Sequence, residues 1–219
     1  MKSLLFAITT MASAHAGDFV SLFNGKDFTN WGGKDKTEMA GYVIKDGTIT
    51  STPKCNILKT KKEYSNYVLQ FEFKLTPNAN NGLGIHYSGQ GDPAYKGMEI
   101  QILDNTGPVY SDPEHPRYYQ LKDFQVHGSL YKLQGAKKGH LKPTGEWNKE
   151  TVTVNGANIK VELNGVVIME ANLDELNKSK PEHDGAKRRK GHIAFCGHGD
   201  IVSFQNIRIK ELAKPAVKE

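Results

Sequence analysis

Alternation of apolar and polar residues with a period of two most constrains how this chain of 219 residues can fold. Leu69, Phe71, Phe73 and Leu75 alternate with polar residues, which predicts a strand with one buried face. From residue 19 onward, only 173–177 is typical of a helical turn. The chain is therefore expected to be built from strands.

Asn-Gly and Asp-Gly pairs divide these patterns into hairpins, because both dipeptides tolerate the positive φ of tight turns. Asn155-Gly156 and Asn164-Gly165 separate three strands over 151–169, and Asp46-Gly47 separates two over 42–49. Further strands are predicted at 83–87, 98–103, 126–133, 191–196 and 202–209. About a dozen strands with short connections predict an all-β fold, an antiparallel β-sandwich of two packed sheets.

The N-terminal residues 1–16 have the pattern of a secretory signal peptide. Lys2 supplies a positive charge, residues 4–11 are apolar, and Ala14-His15-Ala16 places small residues at a cleavage site. We expect a periplasmic or extracellular protein. The remainder, 17–219, is expected to form one domain, because no linker rich in Pro, Gly or Ser divides it.

Composition argues against several classes of protein. The net charge is +5, and its only dense basic run, 187–190, is typical of a solvated loop and not of a nucleic-acid-binding stripe. After the N-terminus no apolar stretch is long enough to span a bilayer, so no integral membrane segment is expected. Cys55 and Cys196 are too few for a disulfide scaffold, and they either pair or stay free thiols.

Polar side chains are predicted along one face of three strands, where alternation would bring together five of them: His86, Glu99, Gln101, His127 and Tyr131. If the strands are neighbours, carboxylate, amide and aromatic groups converge on a surface that suits a sugar. The alternative is that each stripe is the solvated face of an antiparallel sheet. His198 and Asp200, in a Gly-rich loop, either contact a ligand or metal or form the tip of a hairpin.

The run 99–104 is similar to the carboxylate strand of laminarinase-type glucanases, in which acids alternate along one strand. Gln101 stands at the position of the middle acid, which disfavours a retaining mechanism with two carboxylates. Asp104 is expected to begin the turn 104–107 instead.

Taken in order, several segments resemble one family: 19–27 (FVSLFNGKD), 81–87 (NGLGIHY), 97–105 (GMEIQILDN), 127–131 (HGSLY), 145–148 (GEWN) and 204–209 (FQNIRI). They are similar to the 3-keto-disaccharide hydrolase domain family over nearly the whole mature chain. The resemblance implies a concanavalin A-like jelly roll and an exported enzyme acting on glycosides already oxidised to a ketone at C3.

That ketone acidifies the C2 proton, so a base can remove it, the C1 oxygen can leave by β-elimination, and water can add to the resulting enone. On this hypothesis Glu99 or His86 is the base and His127 is its partner or the acid. The residues expected to bind substrate are Gln101, Tyr131, Tyr87, Ser129 and His198. The sequence assigns no cofactor with certainty, and the candidate is a divalent metal ion, which His86, Glu99 and His127 would hold and which would polarise the ketone.

Two other functions are open from the sequence. A non-catalytic, lectin-like carbohydrate-binding domain would use the same fold and would depend on stacking aromatic residues, such as Tyr87, Tyr131 or Trp147. A conventional glycoside hydrolase of the glucanase type is disfavoured by Gln101. For each of these functions a carbohydrate is the expected partner. The loops 111–122 and 178–190 are expected to form one rim of the carbohydrate site.

Overall fold

The computed structural model describes residues 18–33 and 39–213. The predicted signal peptide, 1–16, lies outside the described residues. The strands are β1 (Val20–Ser21), β2 (Trp31–Gly33), β3 (Tyr42–Lys45), β4 (Thr48–Ser51), β5 (Ile57–Thr60), β6 (Tyr67–Leu75), β7 (Asn80–Tyr87), β8 (Met98–Leu103), β9 (Trp147–Asn155), β10 (Asn158–Leu163), β11 (Val166–Asn172), β12 (His192–Gly197) and β13 (Val202–Glu211). Three short helices are α1 (Pro93–Lys96), α2 (Pro108–Ser111) and α3 (Leu173–Ser179), and 3₁₀ turns form at Asp123–Gln125 and Asp184–Lys187. Over these ranges no helix has both the length and the apolar character that crossing a membrane requires.

Two antiparallel sheets form a sandwich, which confirms the predicted fold class. The large sheet has the order β11-β10-β9-β6-β13-β4-β3, with β1 paired to β13, and the small sheet has the order β2-β5-β12-β7-β8. The predicted hairpin at 42–49 and the meander at 151–169 are β3–β4 and β9–β11.

The core lies between the sheets because the apolar side of each alternating strand faces the other sheet. Phe195 of the small sheet stacks on Phe204 of the large sheet, with ring centroids 3.8 Å apart, and on Trp31 at 5.2 Å. Phe71 and Phe73 are almost completely buried beside them. Removal of this apolar area from water is the main contribution to the stability of the sandwich.

The strand predicted at 126–133 is wrong, since the chain there forms consecutive turns. Gly128 and Lys132 have φ values of 78° and 61°, outside the range of a regular strand, and the segment pairs only through isolated bridges at Leu130. The segment 126–134, called here the edge segment, instead lies along the outer edge of β8. The Gly128 N–H donates to the Gln101 carbonyl, and the Tyr131 N–H donates to the Glu99 carbonyl, both at 2.8 Å.

His86 breaks the side-chain alternation of β7, with a φ of 50° beside an irregular register between β7 and β12. Leu83 and Ile85 point into the core as predicted, but Tyr87 turns to the outer face and packs with Ile57 and Ala194. The prediction that His86 continues the polar stripe of Glu99 is therefore wrong.

The two cysteines, Cys55 and Cys196, are free thiols. Burial raises the pKa of both. The sequence left open whether Cys55 and Cys196 form a disulfide, and in the structure they do not.

Candidate active site

A cleft of about 750 Å³ lies on the outer face of the small sheet. Its floor is formed by β7, β8 and β12. One wall is the β7–β8 connection with α1, and the other is α2 with the loop that follows it. Concave sites of this volume are typical of small-molecule binding.

Small residues keep the floor of the cleft low and let one carboxylate lie across it. Gly82 and Gly84 of β7 stand beside Gln101 and Glu99 of β8, and Ala194 pairs with Gly84 from the other side. The Glu99 side chain leans over β7, so that a Cβ at Gly82 would overlap its Oε1. Only glycine at position 82 leaves room for this conformation of Glu99.

Glu99 and His198 form the charged pair of the cleft. His198 Nε2 donates to Glu99 Oε1 at 3.3 Å; the Glu99 side chain is 6% exposed and that of His198 is 44% exposed. The hydrogen bond to Glu99 is the largest cause of a raised pKa at His198, and burial opposes it. The imidazole therefore stays protonated to a higher pH than a free histidine, beside a carboxylate that faces the same cleft.

The loop that carries His198 is fixed by backbone contacts. The Gly197 N–H donates to the Asn56 carbonyl at 2.7 Å, and the Gly199 N–H donates to Cys55 Sγ at 3.4 Å. Asp200 accepts a hydrogen bond from the Asn80 N–H at 2.9 Å, so it holds the loop against β7. Of the two loop residues considered from sequence, His198 lines the cleft and Asp200 braces it.

Gln101 and Tyr131 also line the cleft, as predicted. The side-chain amide of Gln101 makes no hydrogen bond to another of the described residues, so its donor and acceptor are available to a ligand. The ring of Tyr131 packs edge-on against Phe124, with centroids 6.1 Å apart. Burial raises the pKa of the Tyr131 hydroxyl, which therefore keeps its proton and can donate it in a hydrogen bond.

Four other predicted site residues lie outside the cleft. His86 Nε2 is 3.3 Å from the Ser65 carbonyl, and burial lowers the pKa of His86 to about 4. The Tyr87 hydroxyl donates to the Gly91 carbonyl, and the Ser129 hydroxyl donates to the Asp123 carbonyl, each at 2.9 Å. His127 faces the core, because the edge segment is not a strand and does not alternate.

His127 instead pairs with Glu150 of β9 between the two sheets. Nε2 lies 2.9 Å from Oε2 of Glu150, and both side chains are almost completely buried. The two groups are close but not aligned for a hydrogen bond, so neither Glu150 oxygen has such a partner among the described residues. Nδ1 of His127 accepts from the Leu103 N–H at 3.4 Å, which puts the ring proton of a neutral His127 on Nε2, facing Glu150.

The metal set considered from sequence does not assemble, because His86, Glu99 and His127 lie in three separate environments. Within 18–33 and 39–213, no three His, Cys, Asp or Glu side chains are grouped so that they could hold a metal ion.

Asp104 begins a turn, as expected, since its carboxylate accepts from the backbone N–H groups of Asn78 and Thr106. The expected rim loop 111–122 supplies Tyr119 and Leu121 to the cleft, whereas 178–190 supplies none of the lining residues. Sequence reasoning missed Tyr95, Tyr110 and Asn80, which come from connections and a strand end where no periodicity marks a face.

The sequence profile of the 3-keto-alpha-glucoside-1,2-lyase-like domain matches residues 18–210. The chain belongs to this family. A 3-keto-disaccharide hydrolase of Bacteroides thetaiotaomicron is 28% identical to it over an alignment that covers 90% of this chain and 79% of that protein.

Solved structures place the fold of this lyase-like domain among carbohydrate-active proteins. A candidate glycosyl hydrolase from Parabacteroides distasonis superposes with a TM-score of 0.75 at 25% identity, covering 89% of this chain and 94% of that one. A second from the same organism gives 0.74 at 26% identity, covering 90% and 100%. The exoplasmic/lumenal domain of VIP36 shares the fold alone, with a TM-score of 0.51 at 10% identity, covering 85% and 88%.

Proposed function

We propose that this protein cleaves the glycosidic bond of 3-keto-glycosides by proton abstraction at C2, β-elimination and hydration, and that it acts after export. The observation that carries the proposal is the Glu99–His198 pair on the floor of the cleft, in a chain of the 3-keto-alpha-glucoside-1,2-lyase-like family. The pair offers a base and an acid 3.3 Å apart, whereas a second carboxylate for a conventional retaining mechanism is absent at position 101.

Glu99 takes the role of the base. Its carboxylate removes the C2 proton, which the neighbouring ketone has made acidic, and an enolate forms with its charge on the C3 oxygen. Gln101 and Tyr131 line the same cleft and can donate hydrogen bonds to that oxygen as the charge develops.

His198 takes the role of the acid, in place of the His127 expected from sequence. The enolate re-forms its carbonyl, the C1–O bond breaks with its electron pair on the leaving oxygen, and His198 gives that oxygen a proton. Water then adds to C1, His198 accepts the proton that the water loses, and Glu99 returns its proton to C2. The sum is hydrolysis, with both residues restored.

The first test is release of sugar from a 3-keto-glycoside and from its unoxidised parent by wild type and Glu99→Gln. We expect release from the ketone alone, and a loss of about 10²- to 10⁴-fold in Glu99→Gln, because the amide cannot take the proton. Glu170→Gln, on the exposed side of β11, is the matched control and is expected to retain full activity. Equal turnover by Glu99→Gln in a folded protein would exclude Glu99 as the base. Sugar binding without release would instead make the protein a lectin-like recognition domain.

A second test concerns the proton of His198. Because its pKa in the folded protein is raised above 6.5, stabilisation from the pair is complete below that value and is lost as pH rises through the raised pKa. In Glu99→Gln we expect the midpoint of His198, followed by NMR, to move to lower pH. The titration of His192, whose pKa is lowered mainly by burial, is expected to stay unchanged. A midpoint of His198 that does not move would show that Glu99 does not hold its proton.

A further inference from the structure

We propose that the end of the cleft beyond Gln101 is a leaving-group subsite for a planar aromatic aglycone, so that aryl 3-keto-glycosides are the preferred substrates. The cleavage of aryl 3-keto-glycosides rests on the proposed function, whereas the binding of an aromatic group in this subsite does not. It is carried by an apolar surface that lines one end of the cleft.

The cleft is long enough for two rings in line. Glu99, Gln101 and Leu103 all line it from β8, and a strand rises about 3.3 Å per residue, so this floor extends about 13 Å. A sugar whose C2 lies at Glu99 fills only the Glu99 end. His198, the acid proposed to serve the leaving oxygen, follows Gly197, which pairs with Asn81 beside Ile102, so the group attached to C1 is placed toward Leu103.

That end is lined by Leu103, Val109, Tyr110, Tyr119 and Leu121. Val109, Tyr110 and Leu121 are half-buried and Tyr119 is 49% exposed, so apolar surface faces the cleft that no other side chain covers. A second sugar can stack one face on a tyrosine, but its hydroxyl groups would also meet Leu103, Val109 and Leu121, which offer no hydrogen bond in place of water. An aromatic ring buries the same surface without that cost and can stack on a tyrosine.

The wall is held in position before any ligand arrives. The Tyr119 N–H donates to the Val109 carbonyl at 2.8 Å, and Gln125 Nε2 donates to the Tyr119 hydroxyl at 3.1 Å. Gln125 Oε1 accepts from the Lys122 N–H at 3.0 Å. The Tyr119 ring is therefore fixed at both its backbone and its hydroxyl, which lowers the entropy cost of stacking on it.

The test compares kcat/KM for phenyl, methyl and disaccharide 3-keto-glucosides of one anomer in wild type, Tyr119→Ala and Tyr118→Ala. Tyr118 is the matched control, since it is the adjacent exposed tyrosine and does not line the cleft. We expect Tyr119→Ala to lower kcat/KM about tenfold for the phenyl glucoside and to leave the methyl glucoside unchanged. Tyr118→Ala is expected to change neither.

Calorimetric binding of unoxidised phenyl glucoside to the same three proteins separates the two proposals, because it needs no turnover. We expect weaker binding only in Tyr119→Ala. This result would support the subsite even if no keto-glycoside were cleaved. An equal loss for phenyl and methyl substrates, or a loss as large for the disaccharide as for the phenyl glucoside, would overturn the assignment to an aromatic aglycone.

Discussion

At the scale of single residues, glycine at position 82 determines where the Glu99 carboxylate lies. The side chain of Glu99 crosses β7 at this point to reach His198, and any Cβ at position 82 would occupy its path. The φ of Gly82 is not in the left-handed region, so an alanine is compatible with the backbone. The glycine is therefore required by the carboxylate and not by the strand.

Gly82→Ala is expected to lower kcat for a 3-keto-glycoside about 100-fold with little change in the melting temperature, because the base is displaced while the sheet is retained. Gly32→Ala on β2 of the same sheet is the control, since its Cβ would meet no atom within 4 Å. Activity assays and thermal unfolding of both variants check the prediction. A fully active Gly82→Ala would show that Glu99 can act from another rotamer.

The predicted site residues on a regular strand lie in the cleft, whereas those on irregular backbone are predicted only in part: Tyr131 and His198 line the cleft, and His86 and His127 do not. Glu99 and Gln101 follow from alternation alone, because β8 has no irregularity. The position predicted for His86 is wrong because a single positive φ reverses the face on which a side chain lies. A histidine in the sequence does not indicate a positive φ. His198 is predicted from its Gly-rich loop, but its pairing with Glu99 is not, because a contact between residues 99 positions apart has no local signal.

At the scale of elements, the edge segment and β9 are joined by the buried His127–Glu150 pair behind the cleft. The pair connects the large sheet to the segment that supplies Tyr131. A buried carboxyl group that faces an imidazole is costly to leave among apolar side chains alone, so removal of His127 exposes Glu150 to an environment with no polar group opposite it.

His127→Phe keeps a ring against Phe73, where the His127 ring now stacks at 5.0 Å, but leaves Glu150 without a partner. We expect a loss of about 1–3 kcal/mol in the free energy of unfolding, measured by chemical denaturation. The double variant His127→Phe/Glu150→Leu is expected to recover much of that loss, because no polar side chain is then buried without a partner. If His127→Phe is as stable as wild type, the His127–Glu150 pair does not stabilise the contact between the edge segment and β9.

At the scale of the whole molecule, the extended aromatic core leaves no need for a covalent cross-link. With Cys55 and Cys196 unpaired, a reductant is expected to leave the melting temperature unchanged, measured by calorimetry with and without dithiothreitol. A lower melting temperature under reducing conditions would show that the two thiols pair in solution.

The sandwich and its family are readable from the sequence because both depend on local patterns in a fixed order. The order of strands is not readable, because β6 pairs with β13 and β9, which lie far along the chain. The cleft depends on that order, since β7 and β12 must be neighbours before Gly82, Glu99 and His198 can meet.

The edge segment has a consequence for the behaviour of the protein at high concentration. An uncovered strand edge is a template on which another chain can add, and such addition leads to aggregation. Gly128, Ser129 and Tyr131 use the backbone groups of β8 that would otherwise be open to it. The same segment carries Tyr131 into the cleft. Substitutions that loosen the segment are therefore expected to cause both insolubility and loss of turnover. A screen for solubility alone would then also remove variants whose active site is damaged.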